Sequence, residues 1–229
     1  MAESGTRRPR RIGILGCLAV GALALTTGCS SNSTGPGDVA PATILVDAGG
    51  GGDYTTIGAA INASSEGDTI LVAPGTYSGN GNRDLDFGGV DITLRAASAR
   101  DSTVIDCEGE GRAFHFQTGE TAASVIDGFI IKNGTAAQGG AIRCEGASPT
   151  INGVTFRSNT TTREGGALFV KECAPTLTDV TFTNNAIEGA GARSGGAIHC
   201  DRSTLTIEGA VFRDNVSAGS GGAIASIFS

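Results

Sequence analysis

From Gly139 to Ile224 the chain alternates short apolar runs with glycine turns, and the alternation recurs in a fixed phase. Gly-Gly-Ala-(Ile/Leu) appears four times, at 139–142, 165–168, 195–198 and 221–224. Phe-x-x-Asn appears three times between them, at 156–159, 182–185 and 212–215. The first Gly leads its Phe by 17 residues each time, whereas the step from Asn to the next Gly-Gly is 6, 10 and 6 residues. A constant segment joined by a turn that tolerates insertion is the behaviour of stacked coils in a solenoid. Period-2 alternation within each constant segment assigns side chains to the inside or the outside.

That alternation predicts five inward columns. Ile142, Leu168, Ile198 and Ile224 form one, and Cys144, Val170 and Cys200 the next. The others are Ile151, Leu177 and Ile207; Val154, Val180 and Ala210; and Phe156, Phe182 and Phe212. Asn133, Asn159, Asn185 and Asn215 form a sixth column at a turn, where Asn tolerates a left-handed backbone and its amide can bond the neighbouring rung. This column reads as structural. Its first member rests on aligning Val125, Ile130 and Asn133 with Ile151, Phe156 and Asn159.

Ahead of the regular coils, Gly111–Phe116 is an altered version of the Gly-Gly-Ala-Ile segment. Thr43–Asp47, Thr69–Val72, Val90–Leu94 and Thr103–Ile105 read as strands. Gly49–Asp53 and Pro74–Thr76 read as turns. Thr56 can N-cap a short helix with Ile57, Ala60 and Ile61 on one face, which would cover the open end of the first coil. At about 26 residues per coil, Thr43 to Ser229 makes roughly seven coils. The expected fold is all-β: a right-handed, single-stranded parallel β-helix over 43–229 with a short N-terminal capping helix.

Residues 1–28 have the form of a bacterial signal peptide, with Arg7, Arg8, Arg10 and Arg11 before a 14-residue apolar run, Ile12–Leu25. Leu25–Cys29 resembles the lipobox of bacterial lipoproteins, although Leu stands four rather than three places before the cysteine. The resemblance implies lipidation at Cys29 and a membrane attachment through the lipid. Residues 29–42, rich in Ser, Gly, Pro and Asn, read as a flexible tether.

Composition agrees with many small coils. Glycine is 37 of 229 residues and tryptophan is absent, so burial must come from small aliphatic side chains. The formal net charge is −7, and beyond residue 28 there are 12 basic against 22 acidic residues. An acidic body lacks the basic stripe that nucleic acid requires, so no nucleic-acid partner is expected.

Gly-Gly-Ala-(Ile/Leu) with Phe-x-x-Asn, over about residues 111–224, resembles the repeat of chlamydial-type polymorphic outer membrane proteins. The wider architecture resembles the pectin-lyase-type β-helix. The resemblance implies a surface-exposed or secreted protein, with adhesion as the role. Those proteins continue into a translocating β-barrel, whereas this chain stops at Phe228-Ser229, partway through a coil. Missing sequence or a partner is expected to cap that coil. Residues 46–54, 56–63 and 75–77 resemble the opening of carbohydrate-active β-helix proteins, but the later catalytic blocks of the esterases are not found.

Candidate chemistry is sparse. Asp84 and Asp86 are two apart and can share a face, as a calcium or acid/base pair of a polysaccharide lyase would; a polar turn before a strand is the simpler reading and the one favoured. Arg143, Phe169 and His199 occupy one outward column on successive coils, with Glu145, Lys171 and Asp201 beside them. Arg143, Phe169, Lys171 and His199 therefore form a possible polysaccharide-binding face, or ordinary cross-rung pairing on a solvated surface. His115 and His199 are the only histidines and lie three coils apart, so no metal or cofactor is expected. Cys144 and Cys200 share a column two rungs apart, about 9.6 Å, and Cys173 is offset about 10 Å along the strand. No disulfide is expected among the three. The function these readings favour is a non-catalytic adhesin or polysaccharide-binding scaffold, with a lyase as the alternative.

Overall fold

The computed structural model describes residues 40–98, 101–189 and 194–227. The signal segment, Cys29 and most of the tether lie outside these residues, as do residues 190–193 of the longer turn.

Every ladder between named strands is parallel. One regular coil runs Ile142–Glu145, Thr150–Asn152, Thr155–Arg157, Thr160–Glu164, and the next begins at Leu168. Like strands stack into four sheets. Sheet I has seven strands, from Thr43–Val46 to Thr206–Glu208, and counts seven coils. Sheet II has six, from Gly75–Tyr77 to Val211–Arg213. Sheet III has five: Phe114–Phe116, Ile142–Glu145, Leu168–Lys171, Ile198–Asp201 and Ile224–Ile227. Sheet IV has three short strands, Thr135–Gln138, Thr160–Glu164 and Ala186–Ile187. The protein is a parallel β-helix, and its coils wind in the right-handed sense that crossovers between parallel strands adopt.

The inward columns pair as the alternation dictates. Leu168 faces Ile142 and Ile198, Val170 faces Cys144 and Cys200, and Phe182 faces Phe156 and Phe212. The three phenyl rings stack with centroids 4.7 and 5.0 Å apart, close to the rung spacing of about 4.8 Å. Burial is complete through Phe182 and Ile198, while Phe212 is half-buried and Ile224 is exposed.

The helix runs Ile57–Ala63. The Thr56 side chain accepts from the Ala59 N–H, and Ile57, Ala60 and Ile61 are buried. It occupies the part of the first coil where later coils place sheets II and III. The Gly58 N–H donates to the Gly81 carbonyl and the Ile57 N–H to Asn82 Oδ1, so the helix pins the second coil from below.

Two strand limits differ from expectation. The segment near 90–94 forms its strand later, at Thr93–Ala96, because Gly88 and Gly89 hold left-handed turns before it. Gly75–Tyr77 is a strand rather than a turn: it begins sheet II by pairing with Thr103–Ile105.

Candidate functional site

The outer face of sheet III carries side chains in register on successive coils. His115, Arg143, Phe169 and His199 stand one above another. The ring of Phe169 lies parallel to that of His199, with centroids 5.5 Å apart, and the Arg143 guanidinium carbon is 6.0 Å from the Phe169 centroid. His199 Nδ1 is 3.0 Å from the Ser194 hydroxyl. Phe169 and His199 are only 3% and 4% exposed, so neither presents a ring for a sugar to stack on. Of the two readings of this column, a binding face and cross-rung pairing, the rings of Phe169 and His199 fit the second. The Gly-Gly turn that follows sheet IV folds back over the column: Gly139 packs against the Phe169 stem, and a Cβ there would sit 3.1 Å from that of Phe169.

Arg143 and Lys171 keep accessible side chains, 27% and 36% exposed. Glu145 holds both, Oε2 at 2.7 Å from Arg143 and Oε1 at 3.5 Å from Lys171. One coil on, Arg202 spans Asp201 at 3.2 Å and Glu172 at 2.9 Å. The adjoining column is therefore a run of alternating charges paired within and between coils. At the lower end His115 Nε2 and Arg143 Nε are buried with no hydrogen-bond partner among the described residues. Burial, together with the nearby guanidinium groups of Arg112 and Arg143, holds the His115 pKa below its ordinary value.

Asp84 and Asp86 flank Leu85, which bridges to Phe114 at the edge of sheet III. Asp84 Oδ1 accepts from the Arg112 N–H at 3.3 Å, and its own backbone is left-handed. Asp86 accepts from the Gly88 N–H, the Gln117 side-chain amide and the Thr118 hydroxyl. Both carboxylates are thus engaged in fastening one turn to the next coil. Among the described residues no group of three His, Cys, Asp or Glu side chains converges as a metal site would require.

A second surface, not singled out in the sequence, is an open groove lined by Asp106, Glu108, Gly109, Asn133, Thr135 and Ser158. Burial alone would raise the Asp106 pKa, but hydrogen bonds from Lys132, Asn133 and the Glu108 N–H outweigh it and hold the carboxyl below its ordinary value. Asp106 alternates outward at the end of an ordinary strand, so nothing in the sequence marks it.

Asn159, Asn185 and Asn215 form a ladder inside the turn. Asn185 Oδ1 accepts from the Asn159 N–H and side-chain amide, and Asn215 Oδ1 receives the same pair from Asn185. Each Nδ2 also donates back to the preceding coil, to the carbonyls of Ile131, Phe156 and Phe182. Asn133 lies outside this column, contrary to the alignment from sequence. Ile131, not Ile130, pairs with Phe156, so Gly134 takes the Asn place and its N–H donates to Asn159 Oδ1. Asn133 instead holds the left-handed position before the ladder, as Ser158, Asn184 and Asp214 do on later coils. The ladder residues themselves do not need that backbone.

These coils coincide with a known repeat. Residues 153–171, 179–201 and 209–227 match the Chlamydia polymorphic membrane protein repeat. Each matched stretch holds one Phe-x-x-Asn and the Gly-Gly-Ala-(Ile/Leu) that follows it. The chain is a polymorphic-membrane-protein-like β-helix repeat protein. No curated protein matches the sequence. In structural terms the repeat's Phe is the sheet II stack, its Asn the ladder, and its Gly-Gly the turn into sheet III.

One feature of this chain falls outside the repeat motif. Cys144 Sγ and Cys173 Sγ are 2.9 Å apart. The expected sideways offset of Cys173 assumed a straight strand. Glu172 instead adopts a left-handed backbone (φ 53°), turning the chain so that Cys173 lies above the corner of the coil below, where its sulfur accepts from the Ala147 N–H. Cys200 remains in the column of Cys144, separated from it by Val170.

Proposed function

We propose that the protein is a non-catalytic β-helix scaffold of the cell surface or secreted space, acting as an adhesin or polysaccharide binder. The ligand is met on the outer face of sheet III at Arg143 and Lys171. The observation that carries this reading is the Arg143–Glu145–Lys171 network. Two cations on adjacent coils are held at fixed spacing by one carboxylate and stay partly open to solvent. Such a pair suits an acidic polymer, whose carboxylates recur along the chain and can displace Glu145 as the partner. Attachment to the membrane is assigned to a lipid on Cys29.

The full-length chain is passed over immobilised neutral and uronate polysaccharides, and the eluates are assayed for new reducing or unsaturated ends. Retention on the uronate polymer without new ends, weakened by Arg143→Gln/Lys171→Gln, is the expected result. New ends that vanish in Asp84→Asn/Asp86→Asn would replace the scaffold with a polysaccharide lyase. Failure to be retained on any polymer would remove the polysaccharide ligand. Cys29→Ser is expected to abolish incorporation of labelled lipid, and persistent labelling would rule out that anchor.

A further inference from the structure

The geometry points to a modification site inside the wall of the helix: we propose that Cys144 and Cys173 close into a disulfide, on reaction with a disulfide oxidant, that staples two successive coils together.

The two sulfurs are 2.9 Å apart across the corner between sheets III and I, and a bond needs them at about 2.05 Å. Cys173 is fixed at this corner from several sides. Its N–H donates to the Ser203 hydroxyl of the next coil, and its sulfur accepts from the Ala147 N–H of the previous one. Cys144 Sγ is held at the same corner, 3.3 Å from the Ala147 carbonyl. Little rearrangement separates the dithiol from the bridged form.

Among the described residues there are two other thiols, Cys107 and Cys200. Cys200 sits in the column of Cys144 but two rungs away, about 9.6 Å, too far to bridge to it; it lies one coil beyond Cys173, whose sulfur is instead turned to Cys144 and Ala147 on the coil before. Cys107 lies on an earlier coil. Burial pushes these two thiols up, Cys107 to about 12 and Cys200 to about 11. Cys173 is pulled the other way: the S–H of Cys144 and the N–H of Ala147 point at its sulfur and outweigh burial, so its pKa lies below the ordinary thiol value. Cys173 is itself buried, at 6% exposed against 1% for Cys144, but lies between the exposed residues Glu172 and Ala174 and is the member of the pair nearer the surface.

The chemistry is thiol–disulfide exchange. The Cys173 thiolate attacks one sulfur of a low-molecular-weight disulfide, forming a mixed disulfide and expelling one thiolate. Cys144 then gives up its proton and attacks the Cys173 sulfur, expelling the second. Two protein thiols are oxidised by two electrons, the oxidant is reduced to two thiols, and the two protons end on those thiols. The bridge closes a loop between residues 29 apart in sequence and joins neighbouring rungs covalently.

The test uses the full-length chain, incubated with oxidised glutathione, alkylated under denaturing conditions and cut with trypsin. Cleavage places Cys144 in 144–157, Cys173 in 172–193 and Cys200 in 194–202. The expected product joins 144–157 to 172–193 and is two hydrogens lighter than the separate peptides, while Cys107 and Cys200 are recovered alkylated. Cys144→Ser should instead trap glutathione on Cys173. The melting midpoint of the oxidised protein should rise by about 5–10 °C and return on reduction. Recovery of Cys144 and Cys173 as separately alkylated peptides, or a bridge from Cys173 to Cys200, would overturn the assignment. Because peptide mapping needs only the unaltered chain, the result stands even where a variant fails to fold.

Discussion

Asn185 Oδ1 accepts two hydrogen bonds from Asn159, one from its N–H and one from its side-chain amide, both at 3.0 Å. Asn185 also satisfies the Phe156 carbonyl, and all of these groups are buried. Removing the Asn185 side chain leaves buried donors and an acceptor without partners, which is more damaging than losing a hydrogen bond at the surface. Asn185→Ala should destabilise by about 2–4 kcal/mol, read by denaturant melts. Asn185→Asp should also destabilise, since a carboxylate cannot donate to Phe156. Stability unchanged in either variant would mean that water replaces the ladder.

Phe182 is stacked on both sides, whereas Phe212 is stacked on one side and half-buried. Phe182→Ala should cost about 3–5 kcal/mol, and Phe212→Ala distinctly less. Equal losses would mean that the stack is not the source of the stability.

Gly166 and Gly146 make a contrasting pair. A Cβ at Gly166 would lie 2.0 Å from the Gly196 carbonyl oxygen, a collision that only backbone movement can relieve. At Gly146 nothing lies within 4 Å, and only the left-handed φ of 65° opposes a side chain. Gly146→Ala should therefore cost about 1–2 kcal/mol, whereas Gly166→Ala should displace the coil and leave little folded protein. Circular dichroism and yield of soluble protein distinguish the two.

His115 makes stability depend on pH. Its folded pKa lies below the ordinary value of 6.5, so the unfolded chain binds the proton more readily. The contribution is full above the unfolded pKa and declines as the pH falls through it towards the folded pKa. Asp86 and Glu145 oppose this effect, and Arg112 and Arg143 reinforce it. Melts of the wild type between pH 7.5 and 5 should show the decline, and His115→Gln should flatten it. A slope unchanged by the substitution would place the effect elsewhere.

The inward columns were readable from sequence because period-2 alternation in a parallel stack puts like on like, as for Leu168 between Ile142 and Ile198. Register failed where alternation itself fails. Phe129-Ile130-Ile131 is three apolar residues in a row, and either isoleucine can be aligned with Phe156. The Cys144–Cys173 contact was hidden for a different reason: it depends on a left-handed backbone at Glu172, a residue type that does not announce such a turn. Burial of Phe169 and His199 was hidden because the pattern of one strand says nothing of a turn that folds over its outer face.

The second glycine of each Gly-Gly-Ala has a consequence for how such proteins change length. Gly140 is crowded by the Gly166 carbonyl, Gly166 by that of Gly196, and Gly196 by that of Gly222. Each coil is thus the mould for its neighbour, and the fit is the same at every step. Gain or loss of one whole repeat by recombination leaves every mould filled, so the array can lengthen or shorten in units of a coil. A change of a few residues has no such freedom within the moulded segments, and the turn after the Asn, where the step to the next Gly-Gly is 10 residues in one coil and 6 in its neighbours, is where it is absorbed.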